Sequence, residues 1–174
     1  MLAGAARGQV ATNAPKTLYE AFNATKDTLL IKGSTTIGVL NSQVDYPVEI
    51  RAEQLTNPQT TNSVYAVSLR TTVAQQLQVD YIDYDELDSM IRGVQYISQA
   101  NNSITTMDNF EAVFRTRSGL SVAKVGRGNK VTIAMTSGCT NAPRNQMAAF
   151  VLDDLGKYLT AAKAKIDLVA ANGQ

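Results

Sequence analysis

Polar and hydrophobic residues alternate along most of the first half of the chain, with the two-residue period that is typical of β-strands. Segments with this pattern, or with runs of β-branched residues, are 29–31, 36–40, 48–55, 64–73 and 76–82. Stretches rich in Asn, Gln, Ser and Pro separate them, as expected for turns. Ahead of the strands, residues 17–24 carry Leu18, Ala21 and Phe22 at helical spacing, which predicts a short helix.

A longer helix is predicted directly after the last of these strands. Asp83 is placed to cap its amino end, and Glu86 follows three residues later. Residues at helical spacing then form one apolar face, namely Leu87, Met90, Ile91 and Val94. The polar run 99–102 ends the helix.

The second half of the chain repeats this order of elements. The predicted strands are 110–117, 120–125 and 131–135, with turns at 118–119 and 126–129 and a short apolar run at 147–152. A second helix begins at Leu155 and has an apolar face formed by Leu155, Tyr158, Leu159, Ala162, Ile166 and Val169. Placing Leu87 over Leu155 aligns the apolar faces of the two helices. The alignment indicates an internal repeat, although two unrelated amphipathic helices would align in the same way.

The repeat predicts an α+β protein of two units, each an antiparallel sheet of about four strands followed by one helix. The units are expected to span 28–102 and 103–174, after a partly disordered leader and short helix at 1–27. One unit would leave the apolar faces of its sheet and helix partly uncovered. We therefore expect the two units to pack together as one domain.

The repeated order of four strands and a helix, over roughly residues 28–170, resembles the whirly-type fold. That resemblance implies single-stranded nucleic-acid binding across the sheets, in some members by oligomers. It rests on element order, and no signature motif carries a binding residue over to this chain. The segments Val79–Leu87 and Phe110–Gly119 are also similar to uncharacterised bacterial proteins, many of them exported. This second resemblance implies no activity.

The composition excludes much enzyme chemistry. The 174 residues include no His and one Cys, so the chain has no Ser-His-Asp triad, no Cys-His pair and no His-ligated zinc. Cys139 alone closes no intramolecular disulfide and builds no multi-thiolate metal site. We therefore expect no catalysis, no cofactor and no metal.

Acidic residues are densest around the start of the first long helix, at Asp80, Asp83, Asp85, Glu86 and Asp88. Acids in a first helical turn bond free N–H groups and meet the positive end of the helix dipole, which explains the cluster without a ligand. The alternative, a Ca²⁺ or Mg²⁺ site, lacks the glycine of an EF-hand loop. Catalysis by paired carboxylates would need two acids from different elements in one cleft.

The strongest candidate for a binding site is a basic set that would hold an anion or a nucleic-acid backbone. Its members are Arg115, Arg117, Lys124, Arg127, Lys130 and Arg144. Residues 109–145 carry six basic and one acidic side chain, or +5, whereas residues 1–100 carry seven and ten, or −3. The alternative is a set of solvated strand charges that deter edge pairing. Four tyrosines would either stack on bases or lie half-buried with wet hydroxyls: Tyr65, Tyr81, Tyr84 and Tyr96.

The amino terminus has two interpretations, and one of them is the end of a signal peptide, which would mean export to the periplasm or the medium. Leu2–Ala5 is apolar, and Ala6-Arg7-Gly8 has the small-x-small spacing of a signal-peptidase site. A disordered Ala/Gly leader explains the same residues. No later stretch approaches about 18 apolar residues, so no membrane span is expected.

These observations lead to three hypotheses of function. The first is a non-catalytic structural or binding module, exported and self-associating as a homo-oligomer, with a partner that the sequence does not name. The alternative is single-stranded nucleic-acid binding on the sheet that carries the basic set. The third is a hydrolase that acts through paired carboxylates.

Overall fold

The described part of the chain forms two antiparallel sheets and three α-helices. The computed structural model describes residues 16–41, 46–73, 75–138, 145–147 and 149–172. Sheet A has neighbouring strands β1 (Ile31–Leu40), β2 (Val48–Thr56), β3 (Ser63–Val73) and β4 (Gln76–Asp83). Sheet B has neighbouring strands β5 (Asn109–Arg115), β6 (Ser121–Arg127), β7 (Lys130–Thr136) and β8 (Asn145–Met147). The helices are α1 (Leu18–Asn23), α2 (Leu87–Gln99) and α3 (Ala149–Asn172).

This architecture confirms the α+β class and the repeated order of four strands and a helix. Several boundaries differ from the prediction. Ile31 and the run 36–40 belong to one strand, β1, which leaves residues 29 and 30 outside it. Strand β5 ends at Arg115 rather than at 117, and β6 continues to Arg127, into the predicted turn 126–129. Helix α3 begins at Ala149 rather than at Leu155, because Val151, Leu152 and Leu155 are buried on one helical face.

Each long helix covers the sheet of the other unit. Helix α3 lies against β1, β2 and β3 of sheet A, with the Tyr158 ring directly beside Gly38 of β1. Helix α2 lies against β5 and β6 of sheet B, with Gly93 directly beside the Phe114 ring of β5. We call the helix-covered face of each sheet its inner face and the opposite face its outer face.

The two helices also contact each other, so both units share one hydrophobic core. Fully buried residues come from sheet A (Ile50, Val67, Ile82), α2 (Leu87, Met90), sheet B (Val122) and α3 (Leu152, Leu155, Leu159). Neither helix faces only its own unit, and the units therefore pack as a single domain.

A second, smaller core lies on the outer face of sheet A, under α1. Tyr19 of α1 is buried with Leu55 and Ala66, and its ring stacks on Tyr81 at a centroid distance of 4.7 Å. Thr17 and Glu20 form a capping box at the start of this short helix. Six residues rarely form a stable helix alone, so burial of Tyr19 and the capping bonds hold α1 in place.

Two helical glycines allow a matched test of the contact between α2 and sheet B. A Cβ at Gly93 would overlap the Phe114 ring, whereas a Cβ at Gly156 of α3 would meet Val94 Cγ1 at an ordinary 3.6 Å. Alanine in a helix interior is favoured over glycine by about 1 kcal/mol, and forcing a methyl group into a filled core costs about 1–3 kcal/mol. We expect Gly156→Ala to raise the free energy of unfolding and Gly93→Ala to lower it by about 1–2 kcal/mol, measured by urea denaturation. Equal stability of the two variants would contradict the close contact at Gly93.

Candidate functional site

The five members of the predicted basic set that the structure describes do not form one surface. Arg115, Arg127 and Lys130 are exposed on the outer face of sheet B, and Arg117 and Lys124 are bonded within the fold. Arg144 lies outside the described residues. The candidate site therefore separates into exposed cations and structural cations.

Lys124 holds the carboxyl end of α2. It lies on the inner face of β6, and its Nζ donates a hydrogen bond of 2.8 Å to the carbonyl oxygen of Ser98, in the last turn of the helix. The last carbonyls of a helix have no partner within the helix and lie at the negative end of its dipole. A cation at this position stabilises the helix end, and the Lys124 ammonium is not directed toward an external anion.

Arg117 bridges sheet B to the end of sheet A. It lies in the turn between β5 and β6, where its guanidinium bonds Asp85 and approaches Glu86 Oε2 at 3.3 Å. Its backbone N–H donates to Glu86 Oε1 at 2.8 Å. Hydrogen bonding to Asp85, opposed by partial burial, raises the pKa of Arg117, and nearby Glu86 adds to the effect. The acids beside Arg117 largely neutralise its charge.

The three exposed cations lie at opposite ends of sheet B. Arg127 faces Lys130 across the two-residue turn between β6 and β7, whereas Arg115 faces Ser121 at the far end. Six residues along a strand separate the ends by about 20 Å. Glu111 and the half-exposed Val113 lie between them on the same face. An extended polyanion would contact two separate positive points rather than a continuous stripe.

The acidic cluster caps backbone groups, but not those that the sequence predicts. Asp83 makes no side-chain bond to the 3-10 turn Tyr84–Glu86 that precedes α2, so the prediction that it caps its own helix is wrong. Its carboxylate, 2% exposed, accepts from the N–H groups of Leu18 at 2.7 Å and Tyr19 at 3.0 Å. Asp83 thus caps α1, which is remote in sequence. The prediction fails because the Asp83 carboxylate bonds the free N–H groups of α1 and makes no bond to the N–H groups of the 3-10 turn.

Asp80 has a similar role at the end of β7. It is buried, and its Oδ1 accepts from the backbone N–H of Gly138 at 2.9 Å. The same Gly138 accepts a bond of 2.5 Å from Lys16 Nζ, so Asp80 and Lys16 both hold the segment that follows β7. Among the described residues, no group of three or more acidic or Cys side chains is placed to bind a metal ion.

Sequence reasoning missed a buried ion pair on the outer face of sheet A. Glu53 is 4% exposed, and its Oε1 accepts from Ser68 Oγ at 2.6 Å and from Arg70 Nη2 at 2.9 Å. Burial, together with the neighbouring Glu53 carboxylate, raises the pKa of Tyr19 far above its ordinary value. On strands β2 and β3, Glu and Arg alternate with apolar residues as on a solvated face. In the sequence, the burial of Glu53 was indicated only by the apolar residues of α1, because α1 packs on this part of sheet A.

The four tyrosines divide between core and surface. Tyr65 packs on the main core and Tyr81 stacks on Tyr19. Tyr84 is 40% exposed and donates to Asp167 Oδ1 at 2.5 Å, which raises its pKa. Tyr96 is the most exposed, at 62%. These rings lie on different elements and form no common stacking surface.

Two of the clefts on the described surface lie against α3, and each has one acid among its lining residues. The first, about 220 Å³, lies between the inner face of sheet A and α3, with Glu53, Gln54 and Lys165 among its lining residues. The second, about 490 Å³, lies between α2 and α3 and includes Asp153 and Lys157. The paired carboxylates of the hydrolase hypothesis are not brought together in either cleft.

Comparisons with known proteins do not test the resemblances to whirly-type proteins and to uncharacterised bacterial proteins, which stay predictions. The chain matches no protein-family model, and neither curated proteins nor solved structures give a significant match. The described helices include none that is long and apolar enough to cross a membrane.

The role of Asp83 can be separated from that of its exposed neighbour. Asp83→Ala removes the acceptor for two N–H groups of α1, and hydrogen bonds to charged groups contribute about 1.5–3 kcal/mol. Asp85→Ala removes a surface pair with Arg117, for which about 1 kcal/mol or less is expected. We expect Asp83→Ala to lower the free energy of unfolding and to speed proteolysis within residues 16–30, with little change in Asp85→Ala. Equal effects of the two substitutions would show that Asp83 does not anchor α1.

Proposed function

We propose that this protein is a non-catalytic structural or binding module that acts through its sheet surfaces. One observation carries the proposal: the three acids buried within the described residues are each bonded to groups that hold elements of the fold together. These acids are Glu53, Asp80 and Asp83.

A catalytic carboxylate must keep an oxygen available to substrate or water. Both oxygens of Asp83 accept from successive N–H groups of α1. Glu53 accepts from Ser68 and Arg70 through Oε1, and Asp80 accepts from Gly138 through Oδ1; burial at 4% and 5% exposure closes both side chains to solvent. A buried charge is costly unless such partners offset the loss of hydration. The partners therefore account for the burial of these acids, and no reaction is needed to explain it.

Recognition is then expected where the described surface is open. The outer face of sheet B exposes Val113 at 45%, and strand β1 exposes Ile31 at 55% on the free edge of sheet A. Exposed strands bind partners through backbone hydrogen bonds and alternate side chains. Export of the module is part of the proposal and rests on residues 2–8, which lie outside the described residues.

The sign of a stability change tests this proposal without knowledge of a ligand. Glu53→Gln leaves Arg70 without its counter-ion, and breaking a buried pair costs about 3 kcal/mol. Glu49→Gln on the same strand breaks a more exposed pair with Arg51 and should cost about 1 kcal/mol or less. We expect thermal denaturation to show a clearly lower Tm for Glu53→Gln and a nearly unchanged Tm for Glu49→Gln. Functional carboxylates are commonly held at the expense of stability. A gain in stability for Glu53→Gln would therefore count against a structural role.

Single-stranded nucleic-acid binding is a second candidate, supported by the exposed cations of sheet B. Arg127 and Lys130 are adjacent across their turn and make a local positive pair. Two cations give a weak phosphate site, because nucleic-acid affinity grows with the number of phosphates neutralised.

Fluorescence anisotropy with a labelled oligothymidylate distinguishes the candidates. The structural proposal predicts no binding at about 50 mM salt. Nucleic-acid binding predicts association that weakens steeply toward about 200 mM and is lost in Arg127→Ala/Lys130→Ala. The matched control is Lys157→Ala/Lys165→Ala, which removes the same charge from α3. Salt-sensitive binding lost only in the sheet B variant would favour the second candidate.

A further inference from the structure

We propose that the cleft between the inner face of sheet A and the second half of α3 binds a small organic carboxylate with an apolar body. In this arrangement the carboxylate accepts from the Lys165 ammonium and the Tyr65 hydroxyl. The apolar body of the ligand lies against Ile166 and Val169, which line the same cleft. The site goes beyond the proposed function, because it takes a small molecule between two layers rather than a partner on an open sheet surface.

The cleft exists because β1 has no side chain at Gly33 to fill the space beneath α3. On the inner face, Gly33, Gln54 and Tyr65 lie side by side on β1, β2 and β3. A Cβ at Gly33 would meet nothing closer than Gln54 Oε1 at 3.8 Å. The cleft of about 220 Å³ is smaller than the sites of about 300–1,000 Å³ that hold drug-sized ligands. It therefore suits a ligand with a single ring or a short chain.

The cleft has an unpaired positive charge. Lys165 lines it, and its ammonium makes no ion pair or hydrogen bond with any residue that the structure describes. The residues three and four positions away on α3 are all apolar, so the helix supplies no acid at the usual spacing. Asp167, which is closer in sequence, already accepts from Lys163 and Tyr84. The Lys165 charge is thus available to a ligand.

The cleft supplies no carboxylate to Lys165 from its own lining. Glu53 is the one acid among the lining residues, but its side chain lies on the outer face of sheet A. There its Oε1 accepts from Ser68 and Arg70. A positive charge in a partly apolar cleft without an acid favours an anionic ligand.

Two further polar groups of the lining are free to bind. The Tyr65 ring packs on the main core, and its hydroxyl has no hydrogen-bond partner in the described part of the chain. Gln54 Nε2 donates to Thr56 Oγ1 at 3.1 Å, and Thr56 in turn bonds Ser63 Oγ at 2.7 Å. These bonds orient the Gln54 amide and leave its Oε1, the atom nearest Gly33, as an acceptor. The site therefore favours a carboxylate that also has a hydroxyl group.

Titration of the full chain with para-hydroxybenzoate tests the site by heteronuclear NMR. We expect a dissociation constant of about 1 mM, as is usual for a ligand of this size. The largest shifts should fall at residues 33–35, 52–54, 65 and 165–169, which include the lining of the cleft. Benzoate lacks the hydroxyl and para-hydroxybenzyl alcohol lacks the charge, so each should bind more weakly.

Two substitutions remove the polar contacts one at a time. Lys165→Met keeps the length of the side chain but not its charge, and it should raise the dissociation constant about three- to tenfold. Lys157→Met makes the same change earlier on α3 and should leave binding unchanged. Tyr65→Phe should weaken binding without a loss of stability, because its hydroxyl has no partner among the described residues.

A third substitution fills the cleft. Valine is favoured over glycine in a strand, and a valine side chain at position 33 would occupy the space beside Gln54. Gly33→Val should therefore fold, as checked by circular dichroism, and lose binding of para-hydroxybenzoate. Thr36→Val places the same side chain on the outer face of β1 and should bind normally.

The absence of shifts at about 20 mM para-hydroxybenzoate would overturn the inference. Binding that Lys165→Met and Gly33→Val leave unchanged would overturn it as well. Neither result bears on the stability of Glu53→Gln, which tests the proposed function separately.

Discussion

The exchange of helices between the two sheets is the constraint on which the rest of this structure depends. Helix α3 buries the inner face of sheet A, and α2 buries the inner face of sheet B. A sheet with an apolar face needs a second layer, and here each unit supplies that layer to the other. Because Gly38 and Gly93 have no Cβ, the Tyr158 and Phe114 rings lie directly against the backbone at these positions. The two units consequently stabilise each other and form a single core.

Local patterns predict the elements well because they record which face of each element is apolar. The stripe from Leu87 to Val94 and the turn at Gly128 both follow from residues close in sequence. The apolar stripe of α3 does not show which sheet it covers, since either inner face would bury Leu155 and Leu159 equally. The sequence pattern therefore could not predict that each helix covers the sheet of the other unit. The start of α3 was missed for a related reason: Val151 and Leu152 form an apolar run that suits a buried strand or a buried helix.

The polar residues were harder to predict, because their partners are distant in sequence. Asp83 bonds Leu18 and Tyr19, more than 60 residues away, and Lys124 bonds Ser98 across the interface between α2 and β6. Viewed locally, both residues have the pattern of solvated side chains. The charge count of 109–145 is accurate, but two of its cations, Arg117 and Lys124, satisfy internal acceptors. Net charge along a segment does not show where that charge faces, and this explains why the basic set did not become one site.

The outer faces of the two sheets show that the repeated units have different roles. On sheet A, α1 covers the part of the outer face around Leu55 and Ala66, where Tyr19 lies close to the ion pair of Glu53 and Arg70. On sheet B, the corresponding strands expose Val113, Arg115 and Arg127. The part of sheet A under α1 is closed to partners, whereas outer-face residues 32, 34 and 36 of β1, Leu77 of β4 and the free edge of β1 stay exposed. Because a strand edge is read mainly through its backbone, a surface with few charges suits it. The low charge of β1, with Lys32 alone among its ten residues, thus fits recognition by pairing rather than by electrostatic attraction.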